Sequence, residues 1–323
     1  MFFQAARKGT NEWWMYLVGI IAVGFGYLLG QIPLFVVIAV AAAGLENTAS
    51  LEEFAATLDF NAMGIDPNLG FLLALMMFVF ATLALFLVIK YLHNRDFTTL
   101  INNLGAIRWS RFFYGLGVWM MLGIIYELFN YFLYPESYTF QFSLQGFIPL
   151  LIISLLFIPI QASFEELFVR GYLMQGLGLA TNSRLVAILL TSAVFAGLHL
   201  MNPEIDKFGL STMVIYYMVV AVFLAVITLL DDGLELAMGI HTATNLFGSL
   251  FVTFEGSALQ TQALFRLAEP NALAMLMATI FSAILFMILA SRRFKWQNWQ
   301  KIYGPVSHSS AITILDEDSS KFI

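Results

Sequence analysis

The sequence predicts an all-α protein, a polytopic transmembrane helix bundle of about eight spans. Hydrophobic residues make up 60% of its 323 residues and charged residues only 11%, whereas a soluble domain carries about 25% charged residues. The mean hydropathy of +0.83 also favours a membrane protein. The chain contains no cysteine, which excludes disulfides, thiolate metal sites and cysteine nucleophiles.

Eight apolar runs are candidates to cross a bilayer, which requires about 20 mostly apolar residues. They lie near residues 14–43, 70–92, 111–134, 146–177, 185–200, 212–230, 234–252 and 271–290. The fifth and seventh are short, as helices enclosed in a bundle can be. The first is far longer than the roughly 7–15 residues of a signal-peptide core, so we expect it to remain as an anchor. Between the second and third runs, segment 99–110 predicts a short interfacial helix anchored by Trp109.

The basic residues predict how the bundle is oriented, because Lys and Arg concentrate in cytoplasmic loops. With eight spans and a cytoplasmic N-terminus, twelve of the fifteen Lys and Arg fall on the cytoplasmic side, against Lys207 and Arg266 on the other. The twelve are Arg7, Lys8, Lys90, Arg95, Arg108, Arg111, Arg184, Arg292, Arg293, Lys295, Lys301 and Lys321. We therefore expect a multi-pass cell-membrane protein with both termini in the cytoplasm. Its predicted partner is the lipid bilayer, and no nucleic-acid partner is expected.

Ionisable residues inside apolar helices are costly, and each is a functional hypothesis. Three runs contain such motifs: Glu165-Glu166-x-x-x-Arg170 in the fourth, Phe195-x-x-x-His199 in the fifth and His241-x-x-x-Asn245 in the seventh. Residues four apart share a helix face, so Glu166 can pair with Arg170. Glu165 then points about 100° away from that pair and is available for chemistry.

The same spacing places the remaining motif residues. The ring of Phe195 should pack beneath His199, and His241 and Asn245 can present two hydrogen-bond donors to one point. At a rise of about 1.5 Å per residue, Glu165 lies about 18 Å and His199 about 21 Å from the turn near residues 178–184, so these two are level. His241 comes out about 10–12 Å from its own turn, which predicts a position one or two turns shallower.

Taken together, the three motifs resemble those of the CPBP family. This family includes CAAX prenyl proteases of the Ras-converting type, bacteriocin-processing or self-immunity proteins, and lysostaphin resistance protein A-like domains. The resemblance covers roughly residues 144–252. It implies an intramembrane endopeptidase that hydrolyses a peptide bond of a membrane-associated protein or peptide. It also implies that Glu165 and His199 activate a water, while His241 and Asn245 stabilise the oxyanion. The supporting residues are Glu166, Arg170 and Phe195.

The resemblance divides the chain into four regions. Residues 1–143 are the N-terminal transmembrane helices and interfacial segment, and residues 144–252 are the catalytic core, in spans four to seven. Residues 253–302 hold the last transmembrane helix, and residues 303–323 form a flexible cytoplasmic tail. Substrate identity and oligomeric state are left open.

Metal dependence has two interpretations. Glu165, His199 and His241 could hold a zinc ion with an open fourth position, which would fit the metalloprotease label often attached to the family. The metal-free interpretation is preferred, so no cofactor is expected. A carboxylate in an apolar cavity suits a general base, and Asn245 is a poor zinc ligand but a good donor to an oxyanion.

Two further functions compete with the hydrolase. The first is a non-catalytic membrane scaffold or bacteriocin-immunity protein of the same fold, which intact motif residues disfavour. The second is a proton-coupled transporter that uses the same Glu and His residues. The sequence has no internal repeat and no paired Gly- or Pro-broken helices of the kind that transporters show.

Overall fold

The computed structural model describes residues 2–44 and 48–306. In chain order the α-helices are α1 (Trp13–Ala43), α2 (Ala49–Thr57), α3 (Pro67–Leu87), α4 (Trp109–Leu133), α5 (Leu144–Glu166), α6 (Gln175–Thr181), α7 (Arg184–Leu198), α8 (Glu204–Phe208), α9 (Leu210–Asp231), α10 (Glu235–Leu250) and α11 (Ala272–Phe294). A π-helical segment, Val88–Leu92, continues α3, and a second, Leu167–Met174, joins α5 to α6. The protein is therefore mostly helical, as predicted.

A small sheet is the one departure from an all-α fold among the described residues. It consists of β1 (Tyr138–Phe140), β2 (Val252–Phe254) and β3 (Phe265–Leu267), with β3 in the middle. β3 runs antiparallel to β1 and parallel to β2, and Arg266 is the partner of both Thr139 and Thr253. The sheet thus joins the connection that precedes α5 to the one that follows α10.

Six helices in the described residues are long and apolar enough to cross a membrane: Trp13–Ala43, Pro67–Leu92, Trp109–Leu133, Leu144–Thr181, Leu210–Asp231 and Ala272–Phe294. The chain is a multi-pass membrane protein. The two remaining predicted runs are also helical, but α7 has 15 residues and α10 has 16. Helices of this length extend about 22–24 Å, which is less than the hydrocarbon core of about 30 Å. The prediction of eight spans is therefore supported for six.

Helix α10 lies inside the bundle, packed against α4, α5 and α9. Two glycines bring the backbones of α4 and α10 together. A Cβ added to Gly239 would lie 2.1 Å from the carbonyl oxygen of Phe112, and one added to Gly115 would lie 2.6 Å from that of Leu236. Small residues permit this close approach in membrane proteins. Helix α7, which contains Phe195 and ends before His199, packs against α9.

The two ends of the bundle differ in charge. At one end the backbone of Thr10 bonds to His93, the side chain of Lys8 to Asn103, and the backbone of Val306 to Asn182. We call this the basic end, because the described Lys and Arg lie here except Arg170, Lys207 and Arg266. The opposite, sheet end holds the three strands. Residues 2–8 and 299–306 meet at the basic end, where both contact Asp232, and the predicted tail from residue 307 onward lies outside the described residues.

The prediction of an interfacial helix over residues 99–110 is wrong. A short 3₁₀ turn, Phe97–Leu100, is followed by irregular chain up to the start of α4 at Trp109. Leu100 and Asn102 are fully buried, and the backbone at residues 101 and 102 pairs with Leu234 and Gly233. The segment forms a cover over the N-terminus of α10, in which Leu100 and Ile101 face the bundle while Leu104 and Trp109 remain exposed.

Candidate active site

The first motif lies where the backbone of the fourth span changes its hydrogen-bonding pattern. Glu165 and Glu166 end α5, and the π-helical segment Leu167–Met174 begins at the next residue. Such segments hold an extra residue per turn and often occur at functional sites. The two adjacent carboxylates lie in the last turn of α5 and point into different surroundings, as neighbouring residues of a helix do.

Glu166 and Arg170 form a dry ion pair, as predicted. The Nη1 atom of Arg170 lies 2.8 Å from Oε1 of Glu166, and both side chains are fully buried. Arg170 also donates to the carbonyl of Ala221 at 3.2 Å, and its guanidinium lies over the ring of Phe195 at 4.5 Å. The pair therefore joins the fourth span to α9 and α7.

Glu165 has one satisfied oxygen and one that is free. Its Oε1 accepts a hydrogen bond from Nε2 of Gln161 at 2.5 Å. Its Oε2 is buried and has no hydrogen-bond partner in the described residues. The two nearest ionisable nitrogens are Nε2 of His241 at 3.7 Å and Nε2 of His199 at 3.9 Å. These distances are longer than hydrogen bonds, so neither imidazole satisfies the free oxygen.

His199 is held in one orientation by three contacts. It caps the C-terminus of α7, and its Nδ1 lies 2.7 Å from the carbonyl oxygen of Phe195. A carbonyl only accepts, so Nδ1 carries the hydrogen and Nε2 of the neutral ring is an acceptor facing Glu165. The ring lies between those of Phe195, at 4.3 Å as predicted, and Tyr217, at 4.6 Å. Asn202 donates to the Tyr217 hydroxyl at 3.1 Å.

His241 lies between the Glu166–Arg170 ion pair and the free Oε2 of Glu165. Its Nδ1 lies 2.8 Å from Oε1 of Glu166, the oxygen that also accepts from Arg170. Because a carboxylate only accepts, Nδ1 again carries a hydrogen, and Nε2 faces Glu165. The predicted shallower position of His241 is wrong, since its Nε2 lies 3.7 Å from the Glu165 carboxylate. The reason is that α10 begins inside the bundle, beneath the cover of residues 101–108, so counting residues from its turn underestimates the depth.

Asn245 reaches Glu165 through an intermediate residue. Its Nδ2 donates to Oε1 of Gln161 at 2.8 Å, and Gln161 in turn donates to Glu165. The second hydrogen of the Asn245 amide is not used by this bond. The structure thus brings the four predicted residues of the site together and adds Gln161 and Tyr217. Gln161 could have been found from its sequence position, one turn before Glu165 in an otherwise apolar helix.

The donor atoms can be compared with the requirements of a zinc site. Ligands at about 2.1 Å from a tetrahedral zinc lie about 3.4 Å from one another, and the Glu165 oxygen is 3.7 and 3.9 Å from the two nitrogens. Within residues 2–44 and 48–306, no group of three or more His, Cys, Asp and Glu residues has an arrangement suited to a metal ion. The two separations exceed the spacing of tetrahedral zinc ligands by about 0.3 and 0.5 Å.

Fold and site together define a class: helical membrane proteins that enclose a carboxylate and two histidines among their spans. The family described as Type II CAAX prenyl endopeptidase Rce1-like matches residues 144–247. The chain is also 30% identical over 252 residues to a Bacillus subtilis (strain 168) protein named "Uncharacterized protein YyaK". The aligned region covers 77% of this chain and 81% of that relative. No solved structure matches the chain significantly. The chain belongs to the Rce1-like, or CPBP, family, and the family domain implies a protease.

Proposed function

We propose that the protein is an intramembrane endopeptidase that hydrolyses a peptide bond of a membrane-associated protein or peptide. The observation that carries the proposal is the unpartnered Oε2 of Glu165, buried between the Nε2 atoms of two histidines. A buried carboxylate oxygen without a donor is expensive. Such an arrangement is expected where a reacting water completes the hydrogen bonds.

In the proposed mechanism, Glu165 and His199 orient and deprotonate this water. The water oxygen attacks the carbonyl carbon of the substrate, and the proton passes to Glu165 or to Nε2 of His199. His241 and Asn245 donate to the oxyanion that develops on the carbonyl oxygen. When the carbon–nitrogen bond breaks, the leaving amine takes up the proton, which restores the site.

The charges around His241 support its role as a donor. Its Nδ1 hydrogen is used by Glu166, so Nε2 can donate only when the ring carries a second proton. Glu165 and Glu166 bring two negative charges, and Arg170 brings one positive charge. A proton on His241 makes the cluster neutral, which a low-dielectric position favours. An imidazolium at this point is also a stronger donor to an oxyanion than a neutral group.

Comparison of chain termini in membranes of cells with the wild-type protein and with Glu165→Gln would test this function. Peptide termini produced by the enzyme should be present with the wild type and absent with Glu165→Gln. A matched control is Glu127→Gln, because Glu127 is also a carboxylate in an apolar helix but accepts a hydrogen bond from Tyr138. If both variants leave the same termini as the wild type, the protein is not a protease and the scaffold interpretation is favoured.

We also propose that α7 and α10 lie at membrane depth, which gives eight spans in total. The other spans surround α10, so its ends need not reach both surfaces of the bilayer. Helix α7 packs one face against α9 and leaves an apolar face, with Leu189 and Leu198, exposed to lipid. The concentration of Lys and Arg at the basic end favours a cytoplasmic position for that end and for both termini.

The first prediction tests this topology with single cysteines, which the natural chain lacks. Cysteines at the exposed positions 7 and 104 should react only with reagents that reach the cytoplasm, and one at position 55 only with reagents outside. A cysteine at position 83, exposed near the middle of the second span, controls for leakage. Labelling of position 55 from the cytoplasm would overturn the proposed orientation.

A further inference from the structure

A cavity at the basic end lies outside the candidate active site. It has a volume of about 310 Å³, is open to the outside and is lined by the first turn of α4, the last turns of α9 and α11 and the chain that follows α11. The residues that line it are Arg111, Leu230, Asp231, Phe294, Lys295, Trp296, Gln297, Asn298 and Lys301. Three span-length helices end here, so the cavity lies at the level of lipid headgroups.

The cavity has an excess of positive charge. Arg111, Lys295 and Lys301 line it, and the one acidic residue of the lining is Asp231. The Asp231 carboxylate is already engaged, since Oδ1 accepts from Trp296 at 3.0 Å and Oδ2 lies 3.0 Å from Nη2 of Arg108. Lys301 pairs with Asp232 outside the cavity lining. Arg111 and Lys295 are therefore the cations that an anion entering the cavity would meet.

Both of these cations have unused hydrogen-bonding capacity. The Nε of Arg111 lies 3.5 Å from the Asp231 carboxylate, and its guanidinium carbon lies 3.5 Å from the centre of the Phe294 ring. Its Nη1 is buried without a hydrogen-bond partner among the described residues. Lys295 follows the last turn of α11 with a φ of 53° and forms no ion pair within the described residues. Arg292 and Arg293 precede it in that turn.

We propose that this cavity binds a phosphate group, carried by the headgroup of an anionic lipid. A phosphate oxygen is a strong acceptor that matches an arginine fork and a lysine ammonium. Basic pockets between helices on the cytoplasmic side of membrane proteins suit anionic headgroups. Trp296 in the lining and Trp109 and Trp299 at the same end are exposed or partly exposed, as expected of aromatic residues at the headgroup level.

Binding to the full-length protein in detergent tests the proposal, with phosphatidylglycerol, phosphatidylcholine and inorganic phosphate as separate probes. Thermal unfolding and native mass spectrometry serve as readouts, and neither depends on protease activity. Phosphatidylglycerol should raise the Tm and remain bound, and phosphatidylcholine should not. Lys295→Gln, and separately Arg111→Gln, should weaken phosphatidylglycerol binding about fivefold. Arg7→Gln, an exposed cation at the same end but outside the cavity, should leave binding unchanged.

The outcomes separate the two sources of phosphate. Protection by phosphatidylglycerol alone assigns the site to a lipid headgroup, whereas equal protection by inorganic phosphate assigns it to a free phosphate and overturns the lipid proposal. Equal protection by phosphatidylcholine, or unchanged affinity of the Lys295→Gln variant, would overturn the site itself. Lys295 forms no ion pair with residues 2–44 and 48–306, so this variant remains informative even if Arg111→Gln fails to fold.

Discussion

Two buried polar networks differ in how completely their carboxylates are hydrogen-bonded. At the basic end, Oε1 of Glu235 accepts from Asn102 at 2.6 Å and from the backbone and Nε of Arg108 at 3.1 and 3.0 Å. Its Oε2 accepts from Nη2 of Arg108 at 2.6 Å. In the candidate site, by contrast, Oε2 of Glu165 has no donor among the described residues. The Glu235 side chain is fully buried and that of Glu165 is 16% exposed.

This difference separates a structural network from a reactive one. Fully satisfied buried networks stabilise one arrangement of the chain, and the Glu235 network fixes the cover of residues 101–108 on α10. A buried oxygen without a donor has no such role and is costly to retain. The number of charges does not distinguish the two regions, since both contain Arg and two carboxylates. The surroundings of the unsatisfied oxygen do: Oδ2 of Asp231 also lacks a hydrogen bond but lies 3.0 Å from Nη2 of Arg108, whereas Oε2 of Glu165 faces two imidazoles at 3.7 and 3.9 Å.

The same substitution in each network tests the comparison. Glu165→Gln should reduce hydrolysis by about 10²–10⁴-fold, the usual contribution of a general base, with little change in Tm. Glu235→Gln should leave the rate per folded molecule unchanged and lower stability by about 2–3 kcal/mol, because it weakens hydrogen bonds to a charged partner. Turnover and thermal unfolding of both purified variants provide the measurement. A stability loss confined to Glu165→Gln would reverse the assignment of the two regions.

A second prediction concerns the buried Glu166–Arg170 ion pair of the candidate site. Arg170→Ala should lower stability by about 3–5 kcal/mol, because it removes the arginine charge from the fully buried Glu166 carboxylate and leaves His241 as its remaining partner. The matched control is Arg266→Ala, which breaks the exposed pair with Glu255 and should cost less than about 1 kcal/mol. Chemical unfolding of both variants measures the difference. An Arg170→Ala variant as stable as the control would show that the pair is dispensable for the fold.

The sequence predicted the helices well because lipid exposure leaves a strong compositional signal. The predicted run 111–134 corresponds to α4 at Trp109–Leu133, and the run 212–230 to α9 at Leu210–Asp231. Segment 99–110 failed because its apolar residues suit either a membrane interface or a buried contact, and only the position of α10 decides between them. The three-residue strands and the π-helical change after Glu166 have no compositional signal.

Within the site, helical spacing predicted pairs on one helix but not contacts between helices. The Glu166–Arg170 pair and the Phe195–His199 stacking are both local, and both are confirmed. The contact of His241 with Glu166 depends on the depth at which α10 begins, which residue counting does not give. Tyr217 lacked any signal, since aromatic residues are common throughout the spans.

A third prediction extends the comparison to Gln161, which is a positioning residue in the proposed mechanism. Gln161→Leu removes the donor to Glu165 and the acceptor of Asn245, so kcat should fall about tenfold. The KM should change little, because Gln161 orients other side chains and is not proposed to contact substrate. Gln175→Leu is the control, since Gln175 is buried and bonds to Arg95 and Thr99 away from the site. It should lower stability and not kcat, and an effect of Gln161→Leu on stability alone would contradict the positioning role.

The smallest expected effect is that of metal removal. This experiment tests whether a water or a metal ion lies beside the free oxygen of Glu165. Either a water or a zinc ion could complete its surroundings. The two nitrogens at 3.7 and 3.9 Å are farther from this oxygen than the separation of about 3.4 Å between zinc ligands. The side-chain amide of Asn245 donates a hydrogen bond to Gln161, as expected if α10 supplies hydrogen-bond donors and not metal ligands. We therefore expect purified protein to contain no stoichiometric zinc, and EDTA or phenanthroline to leave cleavage unchanged. One equivalent of zinc by mass spectrometry, lost together with activity on chelation and restored by adding zinc, would replace the water with a metal and make Glu165, His199 and His241 its ligands.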